Sequence, residues 1–317
     1  MATYQTYQSV GNREDLTDVI YNISPTDTPF MSSVGKTKAN AVYHEWQTDS
    51  LAAASTSNAV VEGADASSAT LAPTTRVGNR TQISQKTIQI AGTLESIDKA
   101  GRKSEKAYQL SKASAELKRD MEKILLSNQA AVTGDASTAR KLGSLQAWLE
   151  TNATLGASGV AGSDGTTART SGTDAAFTEA MLKANVKSCY ENGGNPSVLM
   201  VTPTQKQVVS GFAGIAEQRY QAPSNKPTTI VGAADVYLSD FGTLSVVPNR
   251  FMSADADDNG EVAFVLDPEY AAIAYLRPFA TNELAKTGDS EKTQLIVEYT
   301  LEVKNEAAHG IIADLAE

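Results

Sequence analysis

Between Ser96 and Asn128, Leu110, Ala113, Leu117, Met121, Ile124 and Leu125 recur at three- and four-residue steps, with Lys, Arg, Asp and Glu between them. That spacing predicts one amphipathic helix, free of proline and roughly 50 Å long at 1.5 Å per residue. Its apolar stripe is narrow: Ala113 and Ser114 stand where a coiled coil places Leu or Ile. The expected partner is therefore a sheet rather than a second helix.

Upstream, Leu16, Val19, Ile20 and Ile23 repeat at helical spacing behind Glu14 and Asp15, which predicts a helix over 12–23. Ser24-Pro25 stops it, and Thr28-Pro29 then predicts an extended connector. Val42–Asp49 alternates as a strand does, and Gln82–Ile90 has strand composition. Residues 51–79 between them carry almost no large side chains and cannot bury enough apolar surface to offset their own ordering entropy. They are either a projecting hairpin that orders on another subunit or a disordered insertion.

Beyond the long helix, Trp148 is expected as an anchor, and the Gly, Ser, Ala and Thr of Thr151–Asp174 predict a surface loop. Met181, Leu182, Val186 and Cys189 predict a helix over Phe177–Tyr190, closed by Asn192-Gly193-Gly194. Ser197–Val201 is a continuously apolar strand, and Thr202-Pro203 opens a helix to about Phe212. Strand-like runs follow at Asp235–Leu238, Leu244–Val247, Val262–Asp267, Ala271–Leu276 and Gln294–Lys304. In the last, Leu295, Val297, Tyr299, Leu301 and Val303 face one way and Glu298, Thr300, Glu302 and Lys304 the other, so one face should be covered and the other wet. The pattern predicts an α+β body: a sheet of C-terminal strands under the long helix, with a small α/β layer from 140 to 250.

Composition sharpens this only in places. The 317 residues suffice for two modest domains or one elongated one. Aromatics at 6% imply small cores. The net charge of -10 argues against a nucleic-acid reader, since phosphate contacts need clustered Lys and Arg. Cys189, the single cysteine, excludes an internal disulfide framework and fits a reducing compartment. No stretch approaches 18 apolar residues, and the N-terminus has neither a basic run nor an apolar core, so neither a membrane span nor a signal peptide is expected. Asn22, Asn79 and Asn152 match the glycosylation pattern, which a cytoplasmic chain would not use.

Candidate chemistry is sparse. Gly35-Lys36-Thr37 has the end of a phosphate-binding loop, but Phe30 stands where the first glycine belongs. Asp255 to Gly260 matches the first six positions of a calcium loop, yet Leu266 replaces the bidentate Glu. A hairpin turn is the first reading there and weak calcium binding the second. His44 and His309 belong to no metal-spaced cluster, and Cys189 lies on an apolar stripe. No catalytic elbow, dinucleotide turn or framed carboxylate pair is present. The expectation is no enzyme, no catalytic residue, no cofactor site and no metal site.

REDLTDVIYNISPTDTPF (Arg13–Phe30), HEWQTDSL (His44–Leu51), YLRPFATNELAKTGD (Tyr275–Asp289) and VEYTLEVKNEAAHG (Val297–Gly310) resemble the major capsid proteins of tailed bacteriophages. The resemblance implies the Hong Kong 97-like fold, laid out as an N-terminal arm (1–40), an E-loop hairpin (41–93), a peripheral domain with its spine helix (94–139), an axial domain (140–250) and C-terminal strands completing the peripheral domain (251–317). It further implies self-assembly into pentamers and hexamers of an icosahedral shell around double-stranded DNA, which an acidic wall can enclose without gripping. The host cytoplasm would hold the chain before assembly and the virion capsid afterwards. A separate scaffolding protein, a portal and a decoration protein are the expected partners, with no membrane. Some relatives cross-link through Lys and Asn, but no residue here is assigned to that. An encapsulin-like nanocompartment shell and a soluble hydrolase working through Cys189 or an acidic site are the alternatives.

Overall fold

A computed structural model describes residues 24–66, 68, 71–212, 235–252 and 261–316. The helix expected over 12–23 and the acidic turn Asp255–Gly260 lie outside the described residues.

The chain enters as helix α1 (Pro29–Ser33), in place of the extended connector that the prolines predict. Pro29 occupies the first turn, whose free amide proline lacks anyway and whose φ it presets. Strand β1 (Gly35–Lys38) follows, then β2 (Tyr43–Thr48) and β3 (Thr75–Arg80), an antiparallel hairpin in register from Tyr43↔Arg80 to Thr48↔Thr75. Strand β4 (Gln82–Ala91) runs into helix α2 (Gly92–Ser96) and then into the long helix α3 (Glu105–Leu126).

The single rod expected over Ser96–Asn128 is thus shorter. Its 22 residues give about 33 Å, because α2 ends at Ser96 and a new start is set at Ser104, whose side chain accepts from the Ala107 amide at 3.2 Å. Ala113, Leu117, Met121 and Leu125 form its buried face, and its partner is a sheet, through β4 and the strand Ser290–Val303.

Past α4 (Leu145–Trp148) and β5 (Ala153–Thr154) come α5 (Glu179–Glu191), β6 (Val198–Val201), α6 (Pro203–Ser210), β7 (Val236–Ser239), β8 (Gly242–Pro248), β9 (Glu261–Leu266), β10 (Ala271–Leu284), β11 (Ser290–Val303) and β12 (Gly310–Leu315). Thr202 caps α6 as expected, accepting from the Gln205 amide. Two larger sheets result, in the orders β1-β10-β11-β4 and β5-β12-β9-β6-β8-β7. The register of β10 against β11 shifts between Tyr275 and Ala280, where Pro278 has no amide to give the ladder.

Two strands correct the expectation that the C-terminal runs build one sheet. Strand β9 pairs with β6, and β12 with β9, in the six-stranded sheet. Helices α5 and α6 cover one face of that sheet with Leu182, Val186, Cys189 and Val209. Met200, Phe264, Leu266 and Ile311 on its other face join Leu117, Met121, Leu125, Tyr299 and Leu301, so both sheets share one core.

Residues 151–174 are not the plain surface loop their composition predicts. Cross-pairs Ala157↔Thr173, Val160↔Thr170 and Ser163↔Thr167 fold the segment on itself, and the fully buried Arg169 side chain pairs with the fully buried Asp314. Small residues are what permit the approach: a Cβ on Gly165 (φ +67°) would lie 2.5 Å from the Trp148 indole.

Candidate assembly interface

Two regions of contrasting character meet in the β2–β3 hairpin. At its base, the Trp46 and Trp148 rings pack at a tilt of 38° with centroids 5.4 Å apart. His44 Nε2 lies 3.2 Å from Glu302 Oε2, which also accepts from Thr37 Oγ1 at 2.7 Å. The buried Asn79 amide donates to the Gly143 and Leu301 carbonyls, each at 2.8 Å. Its oxygen accepts from the Gly143 and Arg80 amides, also at 2.8 Å, so the side chain is saturated.

Beside it, Glu298 accepts from Thr81 Oγ1 (2.9 Å) and Arg277 Nε (2.8 Å) and pairs with Arg140. This corrects the reading of β11 as wet on its polar face: Glu298 is 4% exposed and Thr300 fully buried. A third buried polar node roots the chain leading into the hairpin. Glu122 of α3 accepts from the Phe30 (2.7 Å) and Met31 (2.9 Å) amides of α1 and from Asn249 Nδ2 (2.7 Å). Burial pushes its carboxyl above the ordinary range, against these three donors, which pull the other way.

Beyond Thr48 and Thr75 the character reverses. Every described residue from 49 to 76 is exposed, including Leu51 (99%), Leu71 (89%), Val60 (84%) and Val61 (80%). From 50 to 74 the charged residues are Glu62 and Asp65, both acidic. Exposed apolar side chains on an extended polar loop stabilise nothing within one subunit, yet each would contribute about 1.5–3 kcal/mol if covered by another.

The chemical candidates raised by the sequence fall elsewhere. Burial pushes the Cys189 thiol up to about 12, where it is not a nucleophile, and its sulfur contacts Asn185 Oδ1 at 3.9 Å. Burial holds His309 down at about 4, uncharged, with Nδ1 accepting from the Asp267 amide at 3.2 Å. Gly35–Lys38 is a strand, so no phosphate loop forms there. Among the described residues no group of three His, Cys, Asp or Glu is placed to hold a metal, and no helix is long and apolar enough to cross a membrane. Asn79 and Asn152, both nearly fully buried, are hydrogen-bonded structural side chains. The residues that fix the hairpin, Asn79, Glu122, Arg140 and Glu298, carry no local sequence signature. Only the alternation around Glu298 places it on a definite face.

Solved structures carry the same fold. The capsid of cyanophage A-1(L) superposes with a TM-score of 0.68 over 99% of both chains at 13% identity. The encapsulin SrpI of Synechococcus elongatus does so at 0.56 over 96% of this chain and 92% of that one, at 10% identity. The fold is therefore that of phage capsid proteins. A family model described as SU10 major capsid protein matches residues 2–316, and the major capsid protein of Escherichia phage Phieco32 is 30% identical over 346 residues, covering 98% of this chain and 96% of that protein. The chain belongs to the SU10 major capsid protein family and is the major capsid protein of a phage.

Proposed function

We propose that copies of this chain close, as pentamers and hexamers, into the icosahedral head shell of a tailed double-stranded DNA phage, each hairpin lying across a neighbouring subunit. The observation that carries this reading is the hairpin itself, fixed at its base by Asn79 and Glu298 and uncovered along its tip. In Hong Kong 97-like terms, residues 1–40 are the arm, 41–93 the E-loop, 94–139 the spine segment with α3 and 140–250 the axial domain. Residues 251–317 complete the peripheral domain and lend β9 and β12 to the axial sheet. The role is structural, without catalysis or cofactor. A net charge of -10 suits a wall that must not retain DNA during packaging or ejection. Scaffolding, portal and decoration proteins are the partners this role calls for, with the host cytoplasm as the place of assembly.

Removing residues 55–74, which spares Thr75 and the strand pairing, tests the reading. The expected product is a folded subunit with an unchanged circular dichroism spectrum that forms no shells in negative-stain micrographs. Particles of normal size and yield would overturn it. The nanocompartment alternative has the weaker support, a 10% identical fold likeness. Nucleic acid inside particles purified from infected cells separates the two.

A further inference from the structure

Residues 153–175 form a strap between the long helix and the six-stranded sheet. Both of its ends ride on β12: Ala153 and Thr154 pair with Ile311 and Ile312, and Ala175 bridges to Leu315. Between them the chain folds back through the pair Ser163↔Thr167. Its tip is gripped just past α3, where the Gly165 carbonyl accepts from the Ala131 amide at 2.8 Å and the Gly165 amide donates to the Ala147 carbonyl at 2.9 Å.

Arg169 closes the strap. The side chain of Asn128, two residues past the end of α3, donates to the Arg169 carbonyl (2.7 Å) and accepts from the Arg169 amide (2.8 Å). The buried guanidinium pairs with the Asp314 carboxylate of β12 and donates to Gln146 Oε1 at 3.1 Å. Gln146 in turn donates to the last carbonyl of α3, that of Leu126, at 3.0 Å. Asp314 also accepts from the Gly156 amide at 2.9 Å, and it does so from a left-handed backbone (φ +59°), a conformation unfavourable for a residue with a Cβ.

The core that α3 shares with the sheet does not choose an angle by itself. Apolar contact is non-directional, so Leu117 and Leu125 with Phe264 and Ile311 keep the two bodies together without fixing how they cross. Four of the six methionines, Met31, Met121, Met200 and Met252, lie in that core, and an unbranched side chain refills a gap when its neighbours slide. A buried ion pair contributes little net stability, because desolvation offsets the attraction, but it demands one geometry. We infer that the strap sets the angle between α3 and the six-stranded sheet, with Arg169 and Asp314 as its buckle. The angle is a property of the folded subunit. Its consequence for a shell, one subunit shape and hence one radius, rests on the shell-forming role proposed for the chain.

Spin labels test it. Nitroxides are placed at Lys112→Cys on α3 and Lys187→Cys on α5, both exposed, with Cys189 buried and unreactive. Their separation is read by pulsed electron paramagnetic resonance on the unassembled full-length subunit. With the buckle intact the distance distribution should be narrow. Arg169→Met with Asp314→Asn removes both charges together, so neither is left buried alone, and asparagine tolerates the left-handed backbone. The distribution should then widen roughly twofold, with an unchanged circular dichroism spectrum. Asn128→Ala, which keeps the ion pair and removes the grip at the helix exit, should widen it too. A distribution already broad with the buckle intact, or one equally narrow in a folded variant, overturns the inference. Failure of both variants to fold does so as well, since the strap would then hold the fold and not the angle. In negative-stain micrographs, particles of the buckle variant should spread in diameter. Uniform particles despite widened distances overturn the link to shell size alone, whereas an unsubstituted protein that forms no particles counts against the shell-forming role itself.

Discussion

The base and the tip of one hairpin are opposites in every respect that decides stability. At the base, a single buried asparagine satisfies two carbonyls and two amides, and two tryptophan rings pack against each other. Two arginines also converge there on one carboxylate. At the tip, small side chains and four exposed aliphatic ones leave the backbone in water. The same strand pair thus has its direction set within the folded subunit and its apolar side chains exposed outside it. The base fixes the orientation within the subunit, and on the proposed reading the tip meets its ordering cost on contact with a neighbour.

The comparison breaks most visibly at Asn79. Asn79→Ala orphans the Gly143 and Leu301 groups, and denaturant unfolding should show a loss of about 3 kcal/mol. Glu298→Ala leaves Arg140 and Arg277 facing each other without a carboxylate. Because Arg277 is half exposed, its half of the network is discounted, and about 2 kcal/mol is expected. In the double variant with Arg140→Ala the loss should fall short of the sum of the single losses.

A smaller, pH-dependent effect belongs to Glu122. Its folded-state pKa is raised by burial, so the fold binds its proton more tightly than the unfolded chain does. The associated stability is fully present below the unfolded carboxylate value of about 4.3. It is lost as pH rises through the raised folded value. Thermal melts of the subunit should therefore decline over that interval, and Glu122→Gln should flatten the decline. A slope identical in the variant would show that other groups set it. The smallest effect is expected at the tip, where Leu51→Ser with Leu71→Ser should change subunit stability by under about 0.5 kcal/mol while lowering shell yield.

The elements legible in the sequence are those with a strong period. The alternation of β11 places Leu295 through Val303 in the core, and the three- and four-residue spacing of α3 locates its buried face. Local pattern fails where tertiary contacts override it. Pro29 reads as part of an extended connector, although it starts a helix in which the Phe30 amide is met by a carboxylate 92 residues away in sequence. The composition of 151–174 suggests solvent, yet small size is what lets that chain pack against Trp148 and lets Arg169 reach Asp314. Strand β12 is buried along its whole length and so lacks the alternation that marks a half-wet strand. The uncovered tip is legible in its poverty of large side chains; the polar lock beneath it is not, since no spacing rule joins Asn79 to residues 64 and 222 positions away.

Both tryptophans of the chain stand in the tilted ring pair at the hairpin root. Intrinsic ultraviolet emission from the whole protein consequently reports on one joint, without any label. Its wavelength and quenching would follow that joint through the entire course of head building, in particles too large for most spectroscopies to resolve site by site.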